Sequence, residues 1–216
     1  ESSYQELATY VNAYEQKMQM KRENIANKGI WTAKKRYILN VWDSEGVRYE
    51  KPKMKIMGLE TARSSTPSFF RDKLKRAFEI ILTKDNDTLI DFINQVKLDT
   101  RKQDIVDISF PRSLNNLKKY KGTSSLYAEK TPIQVRGAIL YNHLVKTKKL
   151  SKKYPYIQEG EKIKYVYLKV PNPIHENVIS YFQTLPPEFN LEKYIDFDMQ
   201  FSKSFLEPLN SVLGSI

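Results

Sequence analysis

Apolar residues recur at helical spacing over residues 4–26, where Tyr10, Tyr14, Met18 and Ile25 fall near one face, and Asn27-Lys28-Gly29 reads as the end of that helix. From Lys34 the period changes to two. Tyr37, Leu39 and Val41 alternate with Arg36, Ile38, Asn40 and Trp42, a strand buried on both faces towards its end. Asp43-Ser44-Glu45-Gly46 is a turn, and Val47-Arg48-Tyr49 with Lys53 to Met57 returns as a partner strand interrupted at Pro52, so the spacing predicts a β-hairpin. Ser64-Ser65-Thr66-Pro67 then supplies a hydroxyl cap and a proline for the first helical position, and Phe70, Leu74, Phe78 and Ile81 mark the buried stripe of the following helix. A domain boundary is placed there, dividing the chain into residues 1–66 and 67–216.

A second helix is predicted from about Asp87, with Leu89, Ile93 and Val96 on one side, to near Gln103. Ile105 to Phe110 alternates as a short strand stopped by Pro111. Thr131-Pro132 opens a helix through Leu140 and Leu144 to Lys149, and Glu161 to Val170 reads as a strand. Pro171, Pro173, Pro186 and Pro187 make the next stretch loop-rich, and Tyr194, Phe197, Phe201, Phe205 and Leu209 predict a closing amphipathic helix. The fold class is α+β: a helix plus β-hairpin, followed by a larger, mostly helical part with a few short strands.

Composition narrows the function classes. With 216 residues, 40% of them hydrophobic, the chain is long enough for a buried core and is neither low-complexity nor a linker. No stretch approaches the roughly 18 uncharged apolar residues of a membrane span. A start at Glu1, with neither Met nor a leader pattern, points to a fragment or a processed product. The absence of Cys excludes disulfides and thiol chemistry and fits a reducing, cytoplasmic setting.

Charge is unevenly distributed. Between Arg112 and Lys153 lie eleven basic residues and one acidic one, Glu129, so this segment carries +10 of the formal net +11. Interleaved with Tyr120, Tyr127, Tyr141 and Tyr154, the block has the character of a polyanion-binding face, since each neutralised phosphate releases condensed counterions. The same block also fits a solvated, solubilising surface.

Candidate chemistry is sparse. His143 and His175 are the two histidines and have no metal-ligand spacing, and neither a G-x-x-x-x-G-K-[ST] loop nor a G-x-G-x-x-G turn is present. Asp196 and Asp198 look like a metal-binding pair, but on the predicted helix two residues apart diverge by about 200° and cannot share an ion.

Two segments carry a family likeness. Lys34-Lys35-Arg36-Tyr37 with its strand, and Lys55-Ile56-Met57-Gly58-Leu59-Glu60-Thr61-Ala62-Arg63 one hairpin later, resemble a linked pair of motifs in B-family DNA polymerases, most closely those of T-even-like myoviruses. The run Lys34 to Gly46 resembles that branch's palm, and Met57 to Thr61 with Ser64 to Pro67 resembles its palm-thumb junction. Thinner echoes occur at Met18 to Glu23, Ile133 to Asn142 and Lys203 to Leu209.

The resemblance implies that residues 1–66 are the C-terminal part of a palm and 67–216 a thumb. Lys35 and Arg63 would reach minor-groove acceptors, which are nearly the same for every base pair. Tyr37 would sit by the primer end, and Lys34, Arg36 and Lys55 would add charge. Arg136, inside both the basic block and a thumb echo, counts with the DNA-facing residues. The family's catalytic motifs, D-x-x-S-L-Y-P and a D-T-D turn, do not occur here, nor do its fingers helix and exonuclease domain.

The chain is therefore expected to hold no catalytic or metal-binding residues of its own. Mg²⁺ and nucleotidyl transfer would belong to the complete polymerase, in an infected bacterial cell. The implied partners are primer-template duplex DNA and the N-terminal exonuclease, palm and fingers portion. A sliding clamp would be reached only through an apolar tail that has no counterpart here. An apolar docking surface for the missing palm is expected near Tyr10, Tyr14 and Trp31. The competing reading is a free-standing basic domain that binds nucleic acid without specificity.

Overall fold

The computed structural model describes residues 2–10, 21–122 and 125–215, beginning with a short helix, α1 (Ser2–Tyr10). The helix predicted over 4–26 is not continuous. Ile25 and Asn27-Lys28-Gly29 belong to a strand, β1 (Asn24–Ala33), while Tyr14 and Met18 lie outside the described residues. β1 pairs antiparallel with β2 (Arg36–Ser44), which pairs antiparallel with β3 (Val47–Met57). The predicted hairpin is β2–β3, and Lys34-Lys35, expected to open the strand, instead form the turn from β1 into β2. β1 escapes a periodicity reading because its pairing shifts register at three points, so its side chains do not keep a strict period of two.

Register sorts this sheet into two faces. Ile30, Ile38 and Ile56 lie abreast, with Ile38 fully buried. One residue along, Trp31, Tyr37 and Met57 form the neighbouring row on the opposite face, where Trp31 is 64% and Met57 45% exposed. Pro52 is tolerated within β3 because β3 is an edge strand, and the ladder is irregular just there, between Val41 and Asp43 of β2.

The hydroxyl cap predicted before the next helix is not made. Thr66 Oγ1 donates to the Glu60 carbonyl at 2.8 Å instead, and α2 (Ser68–Thr83) starts just after Pro67 without a side-chain cap. Phe70, Leu74, Ala77 and Phe78 are buried along α2. α3 (Asn86–Thr100) matches the predicted second helix and is capped by Asp85, which accepts from the Thr88 N–H at 2.8 Å.

Ile105 to Ile108, predicted as strand, is a single helical turn, α4 (Ile105–Ile108), capped by Asp104. So short an apolar run suits either period, and the cap decides. The strand begins at Phe110 and runs through Pro111 as β4 (Phe110–Ser113), an edge position that again spares the proline a ladder bond. After α5 (Ile133–Thr147) come β5 (Lys162–Tyr167) and β6 (Val178–Tyr181), giving an antiparallel sheet in the order β4-β5-β6. β6 lies in the stretch expected to be loop. All four of its residues are buried, so it has no alternation to detect.

The closing helix is three consecutive pieces: α6 (Phe197–Phe201), a π-helical turn (Ser202–Leu206) and α7 (Glu207–Leu213). Phe201, Phe205, Leu209 and Val212 are buried, Phe205 edge-on to Phe92 of α3. Gln200 ties the helix to its neighbours, accepting from the Tyr167 N–H at 3.1 Å and donating to the Ile108 carbonyl. One buried cluster runs from Ile38 and Leu59 through Phe70 and Phe78 to Tyr181 and Phe205. The arrangement is α+β, and among the described residues no helix is long and apolar enough to cross a membrane.

α5 packs across β6 at Gly137, where an added Cβ would stand 2.4 Å from Ser180 Oγ and 2.8 Å from its backbone N. By helix propensity alone Gly137→Ala would gain up to about 1 kcal/mol. Overpacking against backbone costs about 1–3 kcal/mol and should win. The variant is expected to unfold at a lower urea concentration than the wild type with an unchanged slope.

Candidate nucleic-acid interface

The two polymerase-like segments meet at one end of the β1-β2-β3 sheet. Tyr37, the second residue of β2, pairs with Met57, the last of β3, so the chain leaves β3 directly beneath the Lys34-Lys35 turn. Lys35 (φ 62°) and Gly58 (φ 67°) are both left-handed, and a Cβ on Gly58 would stand 2.4 Å from the Lys35 carbonyl oxygen and 3.0 Å from Arg36 Cγ. Only glycine combines that backbone with that approach.

Beyond Gly58 the chain turns inward. Leu59 is fully buried, and Glu60–Ala62 form a 3₁₀ turn that returns the Glu60 carboxylate to Arg36. Arg36 Nη2 lies 3.3 Å from Oε1 and 3.5 Å from Oε2, and Arg63 Nη1 lies 3.6 Å from Oε1. Arg63 Nη2 also donates to the Gly58 carbonyl at 3.2 Å. The three side chains differ in access: Glu60 is 21% exposed, Arg36 30% and Arg63 52%. Beside them opens a cleft of about 350 Å³ lined by Ser65, Thr66, Arg112, Lys203 and Glu207 among others. Arg112 closes one side, donating through Nη1 to the Ser65 carbonyl at 2.9 Å.

The predicted site residues therefore divide into groups. Lys34 and Lys35 are exposed at the turn and make no ion pair with a described residue. Tyr37 is half-buried between Trp31 and Met57 in its row. Lys55 lies on the same sheet face, two pairing steps away opposite Leu39, and its Nζ is 2.6 Å from Glu23 Oε1. That contact raises the Lys55 pKa and lowers that of Glu23. Arg36 is turned to Glu60. Arg136 is not part of this group: it sits at the start of α5, paired with Glu176 at 4.0 Å and bonded to Asn177.

Two contributors escape the sequence reading. Glu60 organises both arginines, and its signal is that it is the sole carboxylate between Lys55 and Asp72. Trp31 joins the Tyr37 row only because β1 is a strand. Trp31 also bears on the apolar surface expected near Tyr10, Tyr14 and Trp31. It and Tyr10 are exposed, at 64% and 85%, and Tyr14 lies outside the described residues.

The basic block is mixed in availability. Lys118, Lys119 and Lys121 before α5, and Lys146, Lys148 and Lys149 at its C-terminal end, are exposed and unpaired with any described carboxylate. Lys153 is bound to Glu188, which also accepts from Tyr154 Oη at 2.7 Å. Asp196 caps α6 from outside the helix, accepting from the Met199 N–H at 2.9 Å, while Asp198 in its first turn pairs with Arg101 at 3.0 Å, so the two carboxylates serve separate partners. Among the described residues no group of three His, Cys, Asp or Glu side chains converges, and His143 and His175 are exposed.

Two outcomes test this geometry. Gly58→Ala strains a left-handed residue and meets the Lys35 carbonyl, so a loss of at least about 1–3 kcal/mol is expected by chemical denaturation. The Lys153 ammonium, and then the Tyr154 hydroxyl, hold the Glu188 carboxyl down to about 2, against an ordinary value of 4.5. Because the folded value is the lower one, this contribution to stability is complete above pH 4.5 and fades as pH falls towards 2. Lys153→Met should raise the Glu188 midpoint towards 4.5 in a carboxyl-detected NMR titration.

Residues 3–216 match the model of DNA polymerase family B. The chain is 33% identical over 218 residues to the DNA-directed DNA polymerase of Escherichia phage RB69, covering 95% of this chain and 24% of that one. To the DNA-directed DNA polymerase of Enterobacteria phage T4 it is 32% identical over 227 residues, covering 99% and 24%. The chain thus spans about a quarter of the length of these relatives. Matched to the family model over nearly all of its length, it belongs to DNA polymerase family B.

Proposed function

We propose that this chain is the C-terminal palm (1–66) and thumb (67–216) portion of a phage-type DNA polymerase, and that it grips primer-template duplex behind the site of nucleotide addition. The observation that carries this reading is the ledge at the end of the β1-β2-β3 sheet, where Gly58 packs against Lys35 of the Lys34-Lys35 turn, Arg63 donates to the Gly58 carbonyl and Tyr37 pairs with the preceding Met57. Lys35 and Arg63 hydrogen-bond to minor-groove acceptors, a target nearly independent of sequence. Tyr37, between Trp31 and Met57, rests by the primer end. Lys34 and Lys55 add charge, and Arg36 supports the ledge through Glu60 rather than by touching DNA. The exposed lysines around α5 take phosphates, supplying affinity without specificity.

Nucleotidyl transfer by two metal ions requires clustered carboxylates. The described residues do not fit such a site, because Glu23 is engaged by Lys55 and Asp196 and Asp198 by separate partners. Catalytic aspartates, Mg²⁺, fingers and exonuclease accordingly belong to the remaining polymerase, which is this chain's protein partner. The setting is the cytoplasm of a phage-infected bacterium.

The test is binding to a fluorescent primer-template across a salt series, beside Lys35→Ala/Arg63→Ala. Affinity should be independent of sequence, fall linearly on a log-log salt plot with a slope of several units, and drop on the order of a hundredfold in the double variant, which loses two charged contacts. Binding indifferent to the two substitutions would leave the competing reading, a basic domain without a polymerase grip. No binding at all would refute both.

A further inference from the structure

Glu60 is a carboxylate on a surface proposed to meet a polyanion. By Coulomb repulsion alone it works against binding, and its removal should tighten the grip. Its contacts indicate another role. Both carboxylate oxygens face Arg36 Nη2, and Oε1 lies 3.6 Å from Arg63 Nη1. Its carbonyl accepts from the Arg63 N–H at 3.1 Å and from Thr66 Oγ1 at 2.8 Å. Arg63 Nη2 meanwhile donates to the Gly58 carbonyl. Both terminal nitrogens of Arg63 are thus addressed by the protein, although the side chain is 52% exposed.

An arginine fork is specific only when its orientation is set, and an exposed one samples many rotamers. We infer that Glu60 is a positioning residue for Arg63: it sets the guanidinium before DNA arrives and draws Arg36 aside, so that one defined fork meets the groove. The inference rests on the proposed minor-groove role of Arg63. The carboxylate weakens non-specific attraction and in return makes one contact directional. Repulsion and positioning predict opposite outcomes.

The experiment uses this chain and duplexes in which 3-deazaadenine replaces adenine at successive positions, removing the minor-groove N3 acceptor while leaving every phosphate. Wild type is expected to lose affinity on the order of tenfold at the contacted position, as for a hydrogen bond to a charged group, and Arg63→Ala to show no such penalty. Glu60→Gln should bind the unmodified duplex at least as tightly, yet its penalty should fall below about twofold. Should Glu60→Gln not fold, Glu60→Asp is read instead: its shorter side chain reaches one arginine at a time, and a penalty near threefold is expected, about half the wild-type effect on a log scale. A purely electrostatic or structural role would change affinity for both duplexes alike and leave their ratio at the wild-type value, which overturns the inference. A wild type without a penalty at any position overturns the minor-groove role of Arg63 itself, and this inference with it.

Discussion

The close approach of Gly58 to the Lys35 carbonyl is the constraint on which the ledge depends. Both residues are left-handed, at φ 67° and 62°, and the space between them excludes a methyl group. Register delivers the pair: Tyr37 opposite Met57 leaves the turn and the strand exit no other place to go. Immediately afterwards Leu59 enters the core, so a surface feature is tied within one residue to the cluster that holds α2. A slip of one residue would exchange the Ile30-Ile38-Ile56 row with the Trp31-Tyr37-Met57 row and expose what is now buried.

The net charge is not a uniform coat. Arg36, Lys55, Arg136 and Lys153 are each paired with a glutamate, whereas Lys34, Lys35 and the exposed lysines flanking α5 pair with no described carboxylate. Pairs that keep this much contact with solvent contribute on the order of 1 kcal/mol or less to stability. Their larger effect is to subtract particular cations from the field and to aim others. Glu60 does both, neutralising Arg36 while leaving Arg63 half exposed.

Where the sequence reading failed, the local signal was weak or had been displaced. β1 carries bulges, β6 is buried on both faces, and α4 is too short to show a period, so none follows a clean alternation. Thr66 is a cap by type, but the Glu60 carbonyl is its partner. The long helices α2, α3 and α5 and the β2–β3 hairpin were legible because their apolar stripes and turn residues agree with their burial.

What the sequence by itself determined is therefore the α+β class, the main helices, the concentration of charge between Arg112 and Lys153, and the two segments whose likeness places the chain in its family. Only the tertiary structure decided which of those charges are paired. Pairing of Arg36 with Glu60, of Lys55 with Glu23 and of Lys153 with Glu188 joins residues 24 to 35 positions apart. No local period encodes such contacts. They arise when strand register and core packing bring distant backbones together, and they leave Lys34, Lys35 and Arg63 to face outward.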